Sequence, residues 1–405
     1  MHKITMKNRY ILIYPWKFVD ALYTIMGLDG FSDETEILVL DVSTIINKKF
    51  SDSISAMSTL KEIKKIQSLR QLMIEIRDIK KQSSYKKTCV NYMVPLSSLI
   101  TLIINLICFK CFKNLEIKVL TALNTGLPNI NRNNLASRLV SRISRRISSI
   151  GMFVKKICGY AWARFPSPMG SLVTHKLVAG RHYVEQELKS NSKKNSKIIK
   201  GHSFDYDRYL LSTSLIVAGT NLINRIIFLD SPDPLFSCDY TYTGDKVHKT
   251  IEVWYPALCK YFDQLESLFD AKVIIAAHYK SAFTSPSEVF EGREVYYGCT
   301  NKLIRESKLV VTVQSSAVSF AVIYNKPIFF IYSDESQNDF RIMRYTERFS
   351  DLLGQPIYNI NRLDAIPKTL PLVNEGKYLS YEDQFLTSDC DGRTNAQLIE
   401  QEVLL

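Results

Sequence analysis

In the second half of this chain, polar residues capable of chemistry follow directly on short apolar runs. KVIIAA (272–277) is followed by His278, Tyr279 and Lys280, and LVVTV (309–313) by Gln314, Ser315 and Ser316. IIFLD (226–230) closes on Asp230 with Ser231 and Asp233 beyond it, and PIFFIY (327–332) leads into Ser333, Asp334 and Glu335. An imidazole and an ammonium can donate to phosphate oxygens and neutralise a leaving group. Two adjacent hydroxyls at a helix start, with free N–H groups and the positive end of the dipole, make a seat for an anion. A lone Ser-Ser pair is ordinarily just a cap. Taken as the neighbour of a strand that ends in histidine and lysine, it reads as half of a phosphate site.

A second cluster lies in IIKGHSFDYDRYL (198–210), where a strand gives way to His202, Ser203, Asp205, Tyr206 and Asp207. Transfer to a hydroxyl needs a carboxylate or imidazole to take its proton, and Asp205 and His202 are the candidates, with Asp207 behind them. The same residues can be read as a helix cap with satisfied polar groups. Asp230 and Asp233 are rival carboxylates, although SPDP has the composition of a rigid turn.

The elements that must carry these residues alternate between strand and helix. Residues 10–14 and 36–41 (EILVLD) read as buried strands opening a parallel sheet, and 58–81 as a surface helix. From residue 225 the pattern is regular: strand 226–230, helix 251–269, strand 272–277, strand 294–297, helix 301–306, strand 309–313, helix 315–324 and strand 327–332. Runs this short and apolar are strands covered on both faces, so the second half reads as α/β, a doubly wound parallel sheet. In such a sheet ligands bind beyond the carboxyl ends of the strands, where the polar residues sit.

With 405 residues the chain exceeds the roughly 250–300 at which a single core stops growing, so two domains are expected, joined near 212–224. The spans are 1–215, 216–370 and a C-terminal tail, 371–405. Hydrophobic and charged shares of 46% and 23% are globular values. Residues 1–200 hold 33 Lys+Arg against 13 Asp+Glu, and the remainder 19 against 27, so the basic excess belongs to the first half and points to anionic partners such as a lipid surface. Residues 135–157 combine an apolar stripe at helical spacing with Arg138, Arg142, Arg145, Arg146, Lys155 and Lys156, as in a helix lying on anionic lipid or in one with a solvated basic face. Aromatic residues do not interleave with that run, which disfavours nucleic acid. The most hydrophobic window, 92–109, contains Pro95, Ser97, Ser98, Thr101 and Asn105, and reads as a buried helix followed by a strand, with a membrane-dipping segment as the alternative. Residues 190–196 (SNSKKNS) form a polar loop. The eight cysteines show no metal spacing and fit reduced thiols, and no leader pattern opens the chain, so a cytoplasmic location is expected.

VIIAAHYKSAF (273–283), with FEGREVYYGCTNKLIRESKLVVTVQSSAVSFAVIYNKPIFFI (290–331), resembles the donor half of GT-B glycosyltransferases of bacterial surface-carbohydrate pathways. Within that group it is similar to transferases with His-Pro and Ser-Ser/Thr motifs, the sialyltransferase-like enzymes that use CMP-sugars. The likeness covers about 198–345. It implies two Rossmann-like domains facing a cleft. His278, Ser315 and Ser316 would contact the nucleotide and its phosphate, with Lys280 beside them and further contacts at Thr300 and Lys302. Asp334 would accept from sugar hydroxyls or shape its loop. Tyr279 stands where the motif has proline. No metal or other cofactor is implied, because helix dipoles and basic side chains replace the cation.

The expected function is therefore a peripheral glycosyltransferase at the inner face of the cell membrane. It would take a nucleotide-sugar, CMP-linked, to a glycan or lipid-linked glycan acceptor. Three alternatives share its sequence features: a teichoic-acid-like polyol-phosphate transferase, a non-hydrolysing nucleotide-sugar epimerase, and a non-catalytic scaffold binding nucleotide or lipid.

Overall fold

A computed structural model describes residues 6–54, 58–81, 85–123, 167–190, 196–213, 224–236, 240, 246–281, 283, 285–388 and 391–405. The basic segment 135–157, most of the polar loop 190–196 and most of the junction 212–224 lie outside these residues.

The first sheet contains β1 (Asn8–Tyr14), β2 (Thr35–Asp41), β3 (Ile63–Lys65), β4 (Thr88–Tyr92), β5 (Lys118–Leu123), β6 (His175–Ala179) and β7 (Lys197–Gly201), in the order β3-β2-β1-β4-β5-β6-β7. The second contains β8 (Arg225–Leu229), β9 (Lys272–Ala277), β10 (Val295–Tyr297), β11 (Leu309–Thr312), β12 (Ile328–Tyr332) and β13 (Ile357–Asn359), in the order β10-β9-β8-β11-β12-β13. Every pairing in both is parallel.

Period-two side-chain direction explains the uninterrupted apolar runs. In β1, Tyr10, Leu12 and Tyr14 enter one core while Ile11 and Ile13 enter the core on the opposite face. In β8, Ile226 and Phe228 face one side and Ile227 and Leu229 the other. Helix Ile251–Phe269 covers a face of the second sheet with Trp254, Leu258, Tyr261, Phe262 and Leu265, all buried as its spacing requires. Each such side chain stabilises the packing by about 1.5–3 kcal/mol.

Two local readings change. Of the helix expected at 58–81, only Leu69–Lys81 is helical, because residues 63–65 are captured as edge strand β3 by β2. Charged spacing there mimics a helix, and only pairing with β2 decides otherwise. In the apolar window, β4 ends at Tyr92 and Ser98 caps helix Leu99–Phe112 through a capping box with Thr101, after which β5 follows. The window therefore holds a strand end and then a helix buried on one face only, with Leu99 and Leu106 exposed, and the following strand lies beyond it. No helix among the described residues is long and apolar enough to cross a membrane.

One difference in strand order matters for the site. β9 and β11 are not neighbours, because β8 lies between them and pairs with both.

The C-terminal segment joins the two halves. Tyr378, Tyr381, Phe385 and Leu386 are buried in a core of the second sheet, whereas Leu398, Ile399, Val403 and Leu404 are buried in a core of the first. Between them Thr387 forms a β-bridge with His202, and Ser388 N donates to Gly201 O at 3.0 Å.

Candidate functional site

The carboxyl edge of the second sheet is organised around Asp230, immediately after its central strand β8. This carboxylate is 6% exposed, and its Oδ2 accepts from Ser281 Oγ at 3.1 Å and from His278 N at 3.5 Å. Burial pushes its pKa up to about 7, against the opposing pull of those two donors. Beside it, Asp233 pairs with Lys249 at 2.6 Å, and the Lys249 ammonium lies 4.2 Å from the Trp254 ring centroid. Both rival carboxylates are thus structural partners of this edge. Nothing in the sequence around Lys249 signals its role, since only the fold brings it to Asp233.

The segment after β9 is fixed internally as well as to Asp230. Lys280 N donates to His278 Nδ1 at 3.2 Å, so a neutral His278 carries its proton on Nε2 as a donor. The imidazole stacks on Tyr279 with centroids 4.4 Å apart, and the Lys280 ammonium lies 5.6 Å from the Tyr279 centroid. Tyr279 itself packs against the first domain's core cluster containing Tyr14 and Phe18. Burial, then the neighbouring Tyr279 phenol, pushes the Tyr14 pKa up.

After β11, Ser315 Oγ accepts from Ala317 N at 3.2 Å and Ser316 is exposed. The Ser316 carbonyl accepts from Ser319 N at 3.0 Å and Ser319 Oγ at 2.8 Å. The following helix, Val318–Ile323, begins later than the sequence suggests, with Ala321 fully buried. The parallel arrangement places the His278 and serine loops on the same edge. With β8 between them, they are separated by two strand spacings, about 10 Å, and Asp230 stands in the interval.

The remaining ligand candidates are spread more widely. Thr300 opens helix Thr300–Glu306 beyond edge strand β10 and is half-buried, while Lys302 is exposed. Between them Asn301 donates to Ser212 Oγ at 3.0 Å and accepts from Tyr324 OH at 2.6 Å, turning this helix toward the first domain. Asp334 is exposed in the β12–β13 connection, where its Oδ1 accepts from Asn359 Nδ2 at 2.7 Å. It is three strand spacings, about 14 Å, from β9, so it shapes its own loop and does not join the His278 group. Glu335 caps helix Ile251–Phe269, accepting from Thr250 N and Oγ1 at 3.1 and 2.8 Å.

The first-domain cluster is largely structural. His202 is fully buried, with Nε2 2.8 Å from Arg393 O and Nδ1 2.9 Å from Thr387 Oγ1. A carbonyl only accepts, so Nε2 donates to it and Nδ1 receives the threonine hydroxyl. Both nitrogens are committed to the C-terminal segment, which overturns His202 as an acceptor-side base. Asp207 is corrected likewise: it is 1% exposed and its Oδ1 accepts from Asn395 N at 2.6 Å. The helix start is capped by Ser203, whose Oγ accepts from Tyr206 N at 3.2 Å, whereas His202 and Asp207 are held by the C-terminal segment. Asp205 differs, because its carboxyl reaches the second domain at the Ser319 hydroxyl, with burial pushing its pKa up to about 7.

In the first domain, a recess of about 300 Å³ opens at the ends of β4 and β5, lined by Tyr92, Met93, Val94, Leu96, Met169 and others. Among the described residues, no group of three or more His, Cys, Asp or Glu side chains could hold a metal ion. Free thiols include Cys89, Cys108, Cys111, Cys259 and Cys299.

No family model matches this chain, and no curated protein does. Among solved structures, it is similar to the wall teichoic acid polymerase TagF, at 14% identity over 98% of this chain and 89% of that one, with a TM-score of 0.51. UDP-GlcNAc 2-epimerase from Methanocaldococcus jannaschii (12% identity, 98% and 99% covered, TM-score 0.46) and MurG from Acinetobacter baumannii (8%, 93% and 94%, 0.40) also align. The two parallel sheets with their helices and the likeness to TagF define the GT-B fold, two Rossmann-like domains facing a cleft. Identities this low show the fold alone. The fold implied by the sequence resemblance is upheld, whereas none of these three neighbours is a sialyltransferase.

Proposed function

We propose that this protein is a GT-B glycosyltransferase that moves a sugar from a nucleotide donor, CMP-linked, to a glycan or lipid-linked glycan acceptor in bacterial surface polysaccharide synthesis. The observation that carries this reading is the placement of His278–Lys280 and Ser315–Ser316 on one carboxyl edge, with the first of these loops reaching the other domain. In this scheme the donor phosphate lies across the end of β8. The His278 Nε2–H, the Lys280 ammonium and the serine hydroxyls donate to it and stabilise the charge that develops as the nucleotide leaves. Thr300 and Lys302 flank the same edge. Asp205, whose carboxyl reaches Ser319 of the second domain, is the candidate in this scheme to take the acceptor's proton. The apolar recess at β4 and β5 suits the lipid part of an acceptor, and the excess of cations in residues 1–200 suits an anionic membrane face.

A second reading, polyol-phosphate transfer, is favoured by the likeness to a wall teichoic acid polymerase. An epimerase needs carboxylates flanking the sugar, and Asp230 and Asp233 are already engaged by Ser281 and Lys249. Product analysis separates the three.

A thermal-shift series with CMP, CDP, UDP, GDP and their sugars tests the proposal. A ligand at a hundred times its dissociation constant stabilises by about 2.7 kcal/mol. Stabilisation by cytidine nucleotides is expected. Stabilisation by UDP species alone overturns the donor, and no stabilisation by any nucleotide overturns the transferase reading.

A further inference from the structure

The loop after β9 belongs to the second domain by chain connection but is held by both. On its own side, Asp230 accepts from His278 N and Ser281 Oγ. On the other side the half-buried Tyr279 ring packs against the first domain's core cluster, close to Tyr14. The His278 imidazole stacks on that same ring, 30° from parallel. An imidazole held this way takes its orientation from a residue seated in the opposite domain. Its position relative to the acceptor side is therefore set by the aromatic contact and not by β9 alone.

We propose that Tyr279 is a positioning residue that couples the His278 loop to the first domain, so that the imidazole is correctly aimed only when the two domains are in register. The proposal rests on the transferase reading for its kinetic consequence, but not for its structural one. Binding of the nucleotide alone uses the second domain, whereas turnover needs both. Loss of the Tyr279 ring should then impair turnover far more than nucleotide binding. Aromatic packing, with the stacking it supports, carries the effect, so phenylalanine should serve and a small side chain should not.

Three variants of the full chain decide the matter: Tyr279→Phe, Tyr279→Leu and Tyr279→Ala. For Tyr279→Ala, kcat should fall at least about tenfold while the dissociation constant for CMP changes by less than about threefold. Tyr279→Phe should restore both to near the parent values. Hydrogen exchange at the Lys280 and Ser281 amides should quicken about tenfold in Tyr279→Ala and remain at the parent rate in Tyr279→Phe. If the alanine variant fails to fold, Tyr279→Leu, which keeps apolar bulk but not the stack, takes its place in both measurements. Equal impairment of the phenylalanine and alanine variants, or unchanged exchange and turnover in the alanine variant, overturns the proposal. If the parent protein binds no nucleotide, the transferase reading falls on that result, and the exchange rates still decide whether Tyr279 holds the loop.

Discussion

Asn395 and His202 are bonded in both directions: His202 N donates to Asn395 Oδ1 at 2.9 Å and Asn395 Nδ2 donates to His202 O at 3.0 Å. The amide acts as a surrogate strand, satisfying backbone groups just beyond the end of β7 that no neighbouring strand reaches. It also anchors the segment running from the second domain's core to the first's. Asn395→Ala leaves two buried backbone groups unpaired and should destabilise the protein by about 2–4 kcal/mol, measured by urea denaturation. A loss below about 0.5 kcal/mol would show that this pairing is dispensable.

Gly180→Ala tests the same seam from the other side. Gly180 has φ +76, and a Cβ there would lie 2.3 Å from the Gln384 carbonyl oxygen. Backbone strain and collision together should cost about 2–4 kcal/mol, read as a lowered Tm.

Asp207 gives a pH signature. Its pKa is raised to about 7, first by burial, against about 3.9 in an unfolded chain. The folded state therefore holds this proton more tightly, and its contribution to stability is full below pH about 4 and lost as the pH rises through about 7. Asp207→Asn keeps an oxygen acceptor for Asn395 N and removes the titration. Its stability relative to the parent should improve between pH 4 and 7 and level off above. A flat difference across that range would contradict the buried, protonatable carboxyl.

His278→Ala and Ser315→Ala address the phosphate edge. If these groups stabilise charge on the leaving nucleotide, His278→Ala should lower kcat by about 100- to 1,000-fold and Ser315→Ala by less. Both side chains are partly exposed, so Tm should move little. Polysaccharide synthesis that survives in His278→Ala would favour the scaffold reading.

Much of the fold is legible along the chain. Strands β1, β2, β8, β9, β11 and β12 stand out because burial on both faces writes an uninterrupted apolar run. The helix at 251–269 stands out because Trp254, Leu258, Tyr261 and Leu265 recur at its period. Edge strand β3 does not stand out, since IKK has no apolar run and exists by pairing with β2. The histidine, lysine and serines at strand ends were visible as chemistry, but their spacing was not, because strand order is a property of the sheet.

HSFDYD shows the limit most clearly. Histidine and two carboxylates after a strand have the composition of a proton-transfer site. Two of them are spent instead on a segment nearly two hundred residues later, with Thr387, Arg393 and Asn395 as partners. The sequence by itself determined that the second half is a doubly wound parallel sheet and which residues lie at its strand ends, because burial pattern and local periodicity are written in neighbouring residues. Only the tertiary structure decided that β8 separates β9 from β11, that His202 is a structural pin and that Tyr279 reaches the other domain. Those facts depend on contacts between residues far apart in the chain, and no local pattern encodes which distant partner a polar group will meet.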